Sequence, residues 1–228
     1  MDKIAGVVLA AGKGTRMLPL TLENPKPMLT VLGKNLIEHK LELLPDEVGE
    51  IVLVVGYLGE KIRGYFGDEW NGKKVSYVTQ EVQDGTAGAL FAAKPVLPER
   101  FIVMMGDDLY TKADVNTMLT HTLAILVTEV KDRTIGGEVL VGEDGTFVGM
   151  NEPKHHVEYG LINTGMYMLE RSIFDIEPVR ISPDSSEFGL PHTLLELAKR
   201  ARVDVLRTDK WFQVTEPGDL MRAESFLK

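Results

Sequence analysis

Residues 4–28 read IAGVVLAAGKGTRMLPLTLENPKPM, and this stretch sets the expectation for the whole chain. It opens with a short apolar run, Ile4 to Leu9, whose β-branched residues are typical of a strand buried on both faces. Small residues then dominate positions 10–15, so backbone N–H groups there can close around an anion. The stretch therefore predicts a buried strand that leads directly into an anion-binding loop.

Basic side chains accompany this loop. Lys13 and Arg16 lie within it, and a guanidinium offers a fork of donors that matches phosphate oxygens. Lys26 stands between Pro25 and Pro27, which fix their own φ angles and restrict the residues before them. We therefore expect Lys26 to lie on a stiff, extended piece of chain.

Two common phosphate-binding motifs do not fit the loop. In a Walker loop, Val7 would have to be the first Gly, and Gly14 would have to be a hydroxyl residue. A dinucleotide fingerprint needs a third small residue where Met17 stands. A plain Gly-rich turn would explain the glycines, but it requires neither the two basic residues nor the Pro-Lys-Pro brace.

Hydrophobic patterns predict an α/β fold. In the first half they indicate strands at 4–9, 51–55, 74–79 and 101–105, with helices at 35–44, at 59–66 and after residue 85. Later segments indicate helices at 111–120 and 191–201, strands at 121–130 and 203–206, a turn-rich region between them, and a last helix. This order predicts a Rossmann-like, mixed but mainly parallel sheet with helices on both faces, whose ligands lie beyond the carboxyl ends of the strands.

The composition is that of a globular protein with an acidic surface. A chain of 228 residues with 44% hydrophobic and 26% charged residues fits a single domain spanning 1–228. The lack of cysteine excludes thiol catalysis, disulfides and thiolate metal sites. The net charge of −9 argues against nucleic-acid binding. Because no signal pattern or membrane-length apolar run is evident, we expect a cytoplasmic protein without a membrane partner.

A second polar segment, residues 80–90, follows the third predicted strand. The side chain of Gln80 can pair with the edge of a nucleobase, since an amide offers both donors and an acceptor. Gly85 permits a close backbone approach before a helix begins at Thr86. Gln80 by itself could equally be a solvent-facing residue at the end of a strand. The prediction of a base-binding site therefore depends on Gly85 and the residues after it.

Paired carboxylates mark a third segment. Asp107 and Asp108 follow the apolar run 101–105, at the tip of a predicted central strand. Carboxylate oxygens at such a position suit Mg²⁺, which prefers one or two carboxylates together with phosphate oxygens and water. The alternative is that the pair caps the helix that starts near Lys112.

The spacing of residues 9–17 and 25–28 resembles the signature of the sugar-1-phosphate nucleotidyltransferases, and the pattern is nearest to glucose-1-phosphate thymidylyl- and uridylyltransferases. The resemblance implies a nucleotide-binding half, 1–110, and a sugar-phosphate-binding half, 111–228. It implies catalytic roles for Arg16, Lys26 and Asp107. It also implies nucleotide contacts from Leu9, Ala11, Gly12, Lys13, Gly14, Thr15, Gln80, Gly85 and Thr86.

The resemblance also implies the substrates. In uridylyl and thymidylyl members, a Gln and a Gly five residues later read the pyrimidine, and Gln80 and Gly85 keep that spacing, so UTP or dTTP is favoured. A sugar 1-phosphate would be the acceptor, with contacts implied from Gly137, Asn163 and Thr164. The family's Glu-Lys-Pro triplet reads Asn-Glu-Pro-Lys here. Either Glu152 and Lys154 take its roles with shifted geometry, or the acceptor differs.

The most informative departure concerns the metal. Where the family has an Asp as second Mg²⁺ ligand, this chain has Gln213, whose neutral amide oxygen is a weaker ligand. Mg²⁺ could be held by Asp107 and the substrates' phosphates, or Glu216 could reach in. The family's hexapeptide repeats are not evident, so no acyltransferase domain is expected.

Three hypotheses follow. The first is a sugar-1-phosphate uridylyl- or thymidylyltransferase that uses Mg²⁺. The second is a transferase of the same fold with another phosphorylated acceptor or another base. The third is a non-catalytic nucleotide-binding regulator whose metal site is weakened at Gln213. In each case a nucleoside triphosphate is the expected partner, and a homo-oligomer is possible.

Overall fold

The computed structural model describes residues 3–135, 137–151 and 154–228. Its strands are β1 Ile4–Ala10, β2 Thr30–Val31, β3 Lys34–Asn35, β4 Val48–Val55, β5 Glu69–Trp70, β6 Lys73–Thr79, β7 Arg100–Met105, β8 Asp108–Leu109, β9 Ala124–Ile135, β10 Glu138–Val141, β11 Phe147–Asn151, β12 His155–Glu170, β13 Asp204–Thr208 and β14 Phe212–Gln213. Its α-helices are α1 Leu36–Leu41, α2 Gly59–Phe66, α3 Thr86–Ala92, α4 Lys112–Leu119, α5 Leu190–Ala198 and α6 Asp219–Leu227. Short 3₁₀ helices lie at Thr15–Met17, Lys26–Met28 and Arg171–Asp175.

Ten of the strands in the described ranges form one mixed sheet. Its main path is β11-β10-β12-β7-β1-β4-β6-β5, and β9 joins β12 to β13. The strands β7, β1, β4 and β6 are parallel, whereas β12 is antiparallel to β7. The predicted Rossmann-like, mainly parallel α/β sheet is therefore confirmed.

The order of the parallel strands creates a crevice beside β1. The chain runs from β1 to β4 and β6 on one side, then returns to β7 on the other side of β1. The helix α1, which follows β1, packs on one face of the sheet, whereas α3, which precedes β7, packs on the other face. A crevice opens beyond the carboxyl ends of β1 and β7. Such a switch point is where open α/β sheets bind their ligands.

Both faces of the sheet are buried, as the apolar runs predict. Every residue of β1 is buried. On one face, β1 and β7 pack with α3 and α5 through residues such as Phe101 and Leu190, and on the other they pack with α1, α2 and α4 through residues such as Val8 and Ile37. A sheet covered twice explains why its strands are continuously apolar rather than alternating.

Several predicted elements differ at their ends. The helix predicted at 35–44 ends at Leu41, and the strand predicted at 121–130 runs from Ala124 to Ile135. Lys26 begins a 3₁₀ helix instead of lying on extended chain, because the fixed φ of Pro27 also suits a 3₁₀ turn. In the described ranges, no helix is long and apolar enough to span a bilayer.

Candidate active site

The Gly-rich loop begins where β1 ends. Gly14 has a positive φ of 62°, and a Cβ there would lie 2.8 Å from Cβ of Lys26, so the loop folds tightly onto the Pro-Lys-Pro segment. The hydroxyl of Thr21 donates to the Gly14 carbonyl across 3.0 Å. Met17 is fully buried and anchors the 3₁₀ turn that carries Arg16. The local sequence thus fixes a loop whose backbone faces the crevice.

A cavity of about 540 Å³ opens at this loop, beyond the ends of β1 and β7. It is lined by all three predicted catalytic residues, Arg16, Lys26 and Asp107. All the predicted nucleotide-binding residues also line it, namely Leu9, Ala11, Gly12, Lys13, Gly14, Thr15, Gln80, Gly85 and Thr86. Residues from three separate segments of the sequence therefore converge on one space.

An ion pair spans the crevice. Lys26 is 7% exposed, and its amine lies 2.5 Å from Oδ2 of Asp107, whose side chain is 30% exposed. The tip of β7 is tied to β1, because the Gly106 amide donates to the Leu9 carbonyl across 2.9 Å. A Cβ at Gly106 would lie 2.7 Å from that carbonyl oxygen, so only glycine fits there. The pair is thus held at the carboxyl edge of the two central strands.

Beneath this pair lies a fully buried lysine that the sequence analysis did not single out. The amine of Lys40 donates to the carbonyls of Leu36 and Gly106 at 2.9 and 3.1 Å. Burial lowers the pKa of Lys40 to about 8, although the nearby charge of Asp108 opposes that shift. The signal in the sequence is a lysine on the apolar side of the first helix. It supports the backbone directly before Asp107.

Two further polar side chains, those of Asp108 and Tyr110, are buried in this region, and the Tyr110 hydroxyl lies 3.5 Å from Oδ2 of Asp108. Burial and the charge of Asp107 raise the pKa of Asp108 well above its usual range. Its Oδ1 has no hydrogen-bond partner in the part of the chain that is described. The hydroxyl of Tyr110, whose pKa burial also raises, donates to the Thr164 carbonyl across 2.9 Å. Asp108 is thus a core residue of this site and does not cap the helix at Lys112, which Thr111 caps.

The segment predicted to read the base forms a second wall. Gln80 is buried, and its Nε2 donates to Oδ1 of Asp84 and to the Gly85 carbonyl, each at 3.0 Å. Gln83, which the sequence analysis did not name, donates to the Ala11 carbonyl at 3.1 Å. This bond ties the base-reading segment to the Gly-rich loop.

A third wall, residues 181–192, was not predicted. Phe188 bonds through its backbone to Asp84 at 2.6 Å and to Ala87 at 3.0 Å, and the Leu190 amide donates to the Thr86 hydroxyl at 2.9 Å. Gly85 faces this wall with a φ of 99°, and a Cβ there would lie 2.4 Å from the Phe188 carbonyl oxygen. The wall adds Ile181, Glu187, Phe188, Gly189, Pro191 and His192 to the cavity lining.

Among the predicted sugar-phosphate residues that the structure describes, none is one of the residues that line this cavity; they are Gly137, Lys154, Asn163 and Thr164. Lys154 is exposed, and Gly137 adopts a positive φ of 68°. The Asn163 amide donates to the Tyr167 hydroxyl at 2.5 Å. Thr164 is buried, and its hydroxyl donates to the Leu126 carbonyl at 2.9 Å. Glu152 lies outside the described residues, so the acceptor contacts stay predictions.

The predicted metal residues come together through a short strand pair. In β14, Gln213 lies opposite Asp108 of β8, and the Val214 amide donates to the Asp107 carbonyl at 3.1 Å. The side chain of Gln213 is exposed. Within the described residues, no group of three or more His, Asp or Glu side chains could hold a metal by itself. The donors present fit a Mg²⁺ ion that takes one carboxylate from Asp107 and its other ligands from bound phosphates and water.

Comparisons with known proteins show which family the chain resembles. The family model described as "Nucleotidyl transferase" matches residues 5–228. The bifunctional protein GlmU of Methanocaldococcus jannaschii is 33% identical over 97% of this chain and 53% of its own length. The UTP–glucose-1-phosphate uridylyltransferase AglF of Haloferax volcanii is 31% identical over 97% of this chain and 96% of its own.

The chain thus spans about half the length of the GlmU relatives that it matches. The fold is shared with the crystal structure of a putative glucose-1-phosphate thymidylyltransferase from Bacillus anthracis in complex with a sucrose. That structure has a TM-score of 0.81 and 21% identity over 97% of this chain and 94% of the other. The match of the family model over nearly the whole chain, together with AglF, confirms the resemblance in the sequence: the chain belongs to the nucleotidyl transferase family, among the sugar-1-phosphate nucleotidyltransferases.

Proposed function

We propose that the protein transfers a nucleotidyl group from UTP or dTTP to a sugar 1-phosphate, releasing pyrophosphate, with Mg²⁺ as cofactor. The observation that carries the proposal is the convergence of Arg16, Lys26 and Asp107 with the Gly-rich loop on one cavity. The names of AglF and of the Bacillus anthracis protein support a sugar 1-phosphate as acceptor.

The chemistry requires positioning and charge neutralisation. An oxygen of the sugar phosphate attacks the α-phosphorus of the triphosphate, the bond from that phosphorus to the bridging oxygen breaks, and pyrophosphate leaves in line. Two polyanions must approach each other, so the site mainly needs positive charge to neutralise them. No protein nucleophile is needed. The Gly-rich backbone would hold the triphosphate, as N–H groups in such loops hold anions.

Each charged residue has a position consistent with one role. Arg16, on the exposed 3₁₀ turn, would neutralise charge on the departing pyrophosphate. Lys26 would bridge the α-phosphate and the incoming phosphate from its buried position beside Asp107. Asp107 would hold Mg²⁺, which when bound would withdraw charge from the phosphate oxygens. When phosphates occupy the cavity, Lys26 has anionic partners other than Asp107.

Two other functions remain to be tested, one suggested by the acceptor segment and one by the metal site. An acceptor other than a sugar phosphate would fit the altered Asn-Glu-Pro-Lys sequence at 151–154. A regulatory nucleotide-binding role would fit the neutral Gln213, which pairs with Asp108 directly after Asp107. Both alternatives use the same nucleotide cavity, so nucleotide binding alone does not distinguish them from the transferase proposal.

Pyrophosphate release separates the outcomes. The protein would be incubated with each of five nucleoside triphosphates, combined with glucose 1-phosphate, N-acetylglucosamine 1-phosphate, glycerol phosphate or choline phosphate. We expect release with UTP or dTTP and a sugar phosphate, and its loss in Asp107→Asn. Pyrophosphate release only with glycerol phosphate or choline phosphate would show that the acceptor is not a sugar phosphate. Tight nucleotide binding with no release from any pair would contradict the transferase proposal and favour a regulator.

A further inference from the structure

The orientation of the Gln80 amide is fixed by its neighbours. One terminal atom of this amide lies 3.0 Å from Oδ1 of Asp84 and 3.0 Å from the backbone oxygen of Gly85. A carboxylate and a carbonyl only accept hydrogen bonds, so this atom must be the NH₂ group and the other must be the carbonyl Oε1. Both N–H bonds of Gln80 are therefore used within the protein.

The remaining atom of the amide is an acceptor at the cavity. Gln80 lines the cavity, and none of the described residues donates a hydrogen bond to its Oε1. A base that meets this oxygen with its pairing edge must bring a donor. At the centre of that edge uracil and thymine carry a ring N3–H and guanine a ring N1–H, whereas cytosine and adenine have a lone pair there. Cytosine and adenine could donate to the oxygen only from an exocyclic amino group, with the ring displaced from the position that uracil would take.

Asp84 is itself held in place. Its backbone carbonyl accepts from the Phe188 amide at 2.6 Å. Its carboxylate lies over Gly88 in the first turn of α3, where a Cβ would stand 1.8 Å from Oδ1. Only a glycine at 88 leaves room for this placement. The backbone of Asp84 is thus bonded to the neighbouring wall, and the missing side chain at Gly88 leaves the space that its carboxylate occupies.

We propose that Asp84 is a positioning residue that fixes Gln80 as a hydrogen-bond acceptor, so that the site selects nucleotides whose base has a ring N–H over cytosine and adenine nucleotides. The inference rests on the proposed function, since it takes this cavity as the donor site. It deepens that function by assigning the selection to the fixed direction of one amide. An amide free to flip would accept a cytosine ring as readily as a uracil ring.

Titration calorimetry of UTP and CTP, with Mg²⁺ present and no acceptor, tests the inference through the ratio of the two dissociation constants. In the wild type we expect UTP to bind at least about tenfold more tightly than CTP, because the ring N–H of uracil satisfies Oε1 of Gln80 and the ring nitrogen of cytosine does not. Asp84→Ala removes the carboxylate, and Gly88→Ala displaces it while adding a better helix former, so that unfolding does not explain its effect. Both variants leave the Gly85 carbonyl as the remaining acceptor for the Gln80 NH₂ group, so we expect the ratio to fall by about threefold or more rather than to vanish.

Two variants serve as matched controls. Asp84→Asn keeps an oxygen acceptor for the Gln80 NH₂ group, and Glu81→Gln removes one negative charge from an exposed position on the same segment. Both should keep the ratio of the wild type. A merely structural role for Asp84 would weaken UTP and CTP binding equally and leave the ratio unchanged.

The outcomes separate the two proposals. An unchanged ratio in both Asp84→Ala and Gly88→Ala, or a wild type that binds CTP as tightly as UTP, would overturn the role of Asp84. A ratio that behaves as expected without any pyrophosphate release would uphold the role of Asp84 and overturn the transferase proposal. A wild type that binds neither UTP nor CTP would be titrated with dTTP and GTP, and binding of none of the four nucleotides would overturn both proposals.

Discussion

The amine of Lys26 donates to Oδ2 of Asp107 across 2.5 Å, and the two residues are 81 positions apart in the chain. Lys26 lies on the Pro-Lys-Pro segment and Asp107 at the tip of β7, so the bond joins the two sides of the crevice beside β1. A cation for phosphates and a carboxylate for a metal thus stand side by side before any substrate is bound.

Replacing Lys26 should impair turnover. Lys26→Met removes the cation next to the reacting phosphates, and we expect kcat/KM for UTP and a sugar 1-phosphate to fall by about 10²–10³-fold, as for other lost transition-state donors. Pyrophosphate release measures the effect. Lys61→Met, an exposed lysine on α2, is the matched loss of a charge and should be near normal. Turnover within threefold of the wild type in Lys26→Met would contradict the assignment.

A carboxylate at position 213 should lower the Mg²⁺ concentration that the reaction requires. Gln213 pairs with Asp108 through the backbone, one residue from Asp107, and an Asp there would add a second hard ligand near the first. We expect Gln213→Asp to lower the Mg²⁺ concentration for half-maximal rate several-fold, while Gln213→Ala does not. The Mg²⁺ dependence of pyrophosphate release is the measurement, and identical curves for the three proteins would show that position 213 does not meet the metal.

Lys40 should make stability depend on pH in alkaline solution. Its pKa falls from an ordinary 10.5 to about 8 in the folded protein because the amine is buried. Between pH 8 and 10.5 the unfolded chain therefore binds more protons than the folded one, and the contribution of Lys40 raises the unfolding free energy as pH rises. The rise is at most about 1.4 kcal/mol per pH unit, and below pH 8 Lys40 contributes no slope.

Urea unfolding at pH 7 to 10 of the wild type and Lys40→Met tests this slope. Most other groups titrate alike in both proteins, so the difference between their curves reports Lys40 together with its buried neighbour Asp108, and it should grow from pH 8 upward. Lys34→Met removes an exposed lysine paired with Glu42 and should give a curve parallel to that of the wild type. Parallel curves for Lys40→Met as well would mean that Lys40 keeps its ordinary pKa.

Gly85 and Gly64 should respond oppositely to the same substitution. At Gly85 the φ of 99° is strained for alanine, and its Cβ would meet Phe188 backbone atoms at 2.4 and 2.8 Å. We expect Gly85→Ala to lose more than about 1 kcal/mol of stability. Gly64 lies inside α2 with nothing within 4 Å of an added Cβ, so Gly64→Ala should gain about 0.4–1 kcal/mol. Urea midpoints compare them, and equal shifts would contradict the strain at Gly85.

The sequence by itself determined the fold class and the principal loop. The apolar runs of β1, β4 and β7, the helical spacing of α2 and the glycines of 12–14 are local patterns, and local sterics decide what they form. The carboxyl ends of parallel strands meet at one edge of a sheet, so the sequence also brought Arg16, Lys26 and Asp107 to the same site.

Only the tertiary structure decided which groups touch. The bond from Lys26 to Asp107 requires β7 to lie beside β1, and the local sequence patterns do not state that order of strands. The wall at 181–192 reaches Gly85 from about a hundred residues away along the chain, and no spacing in the sequence announces it. The direction of the Gln80 amide and the pKa of Lys40 depend on the atoms packed around them, because hydrogen bonding and desolvation act through space and not along the sequence.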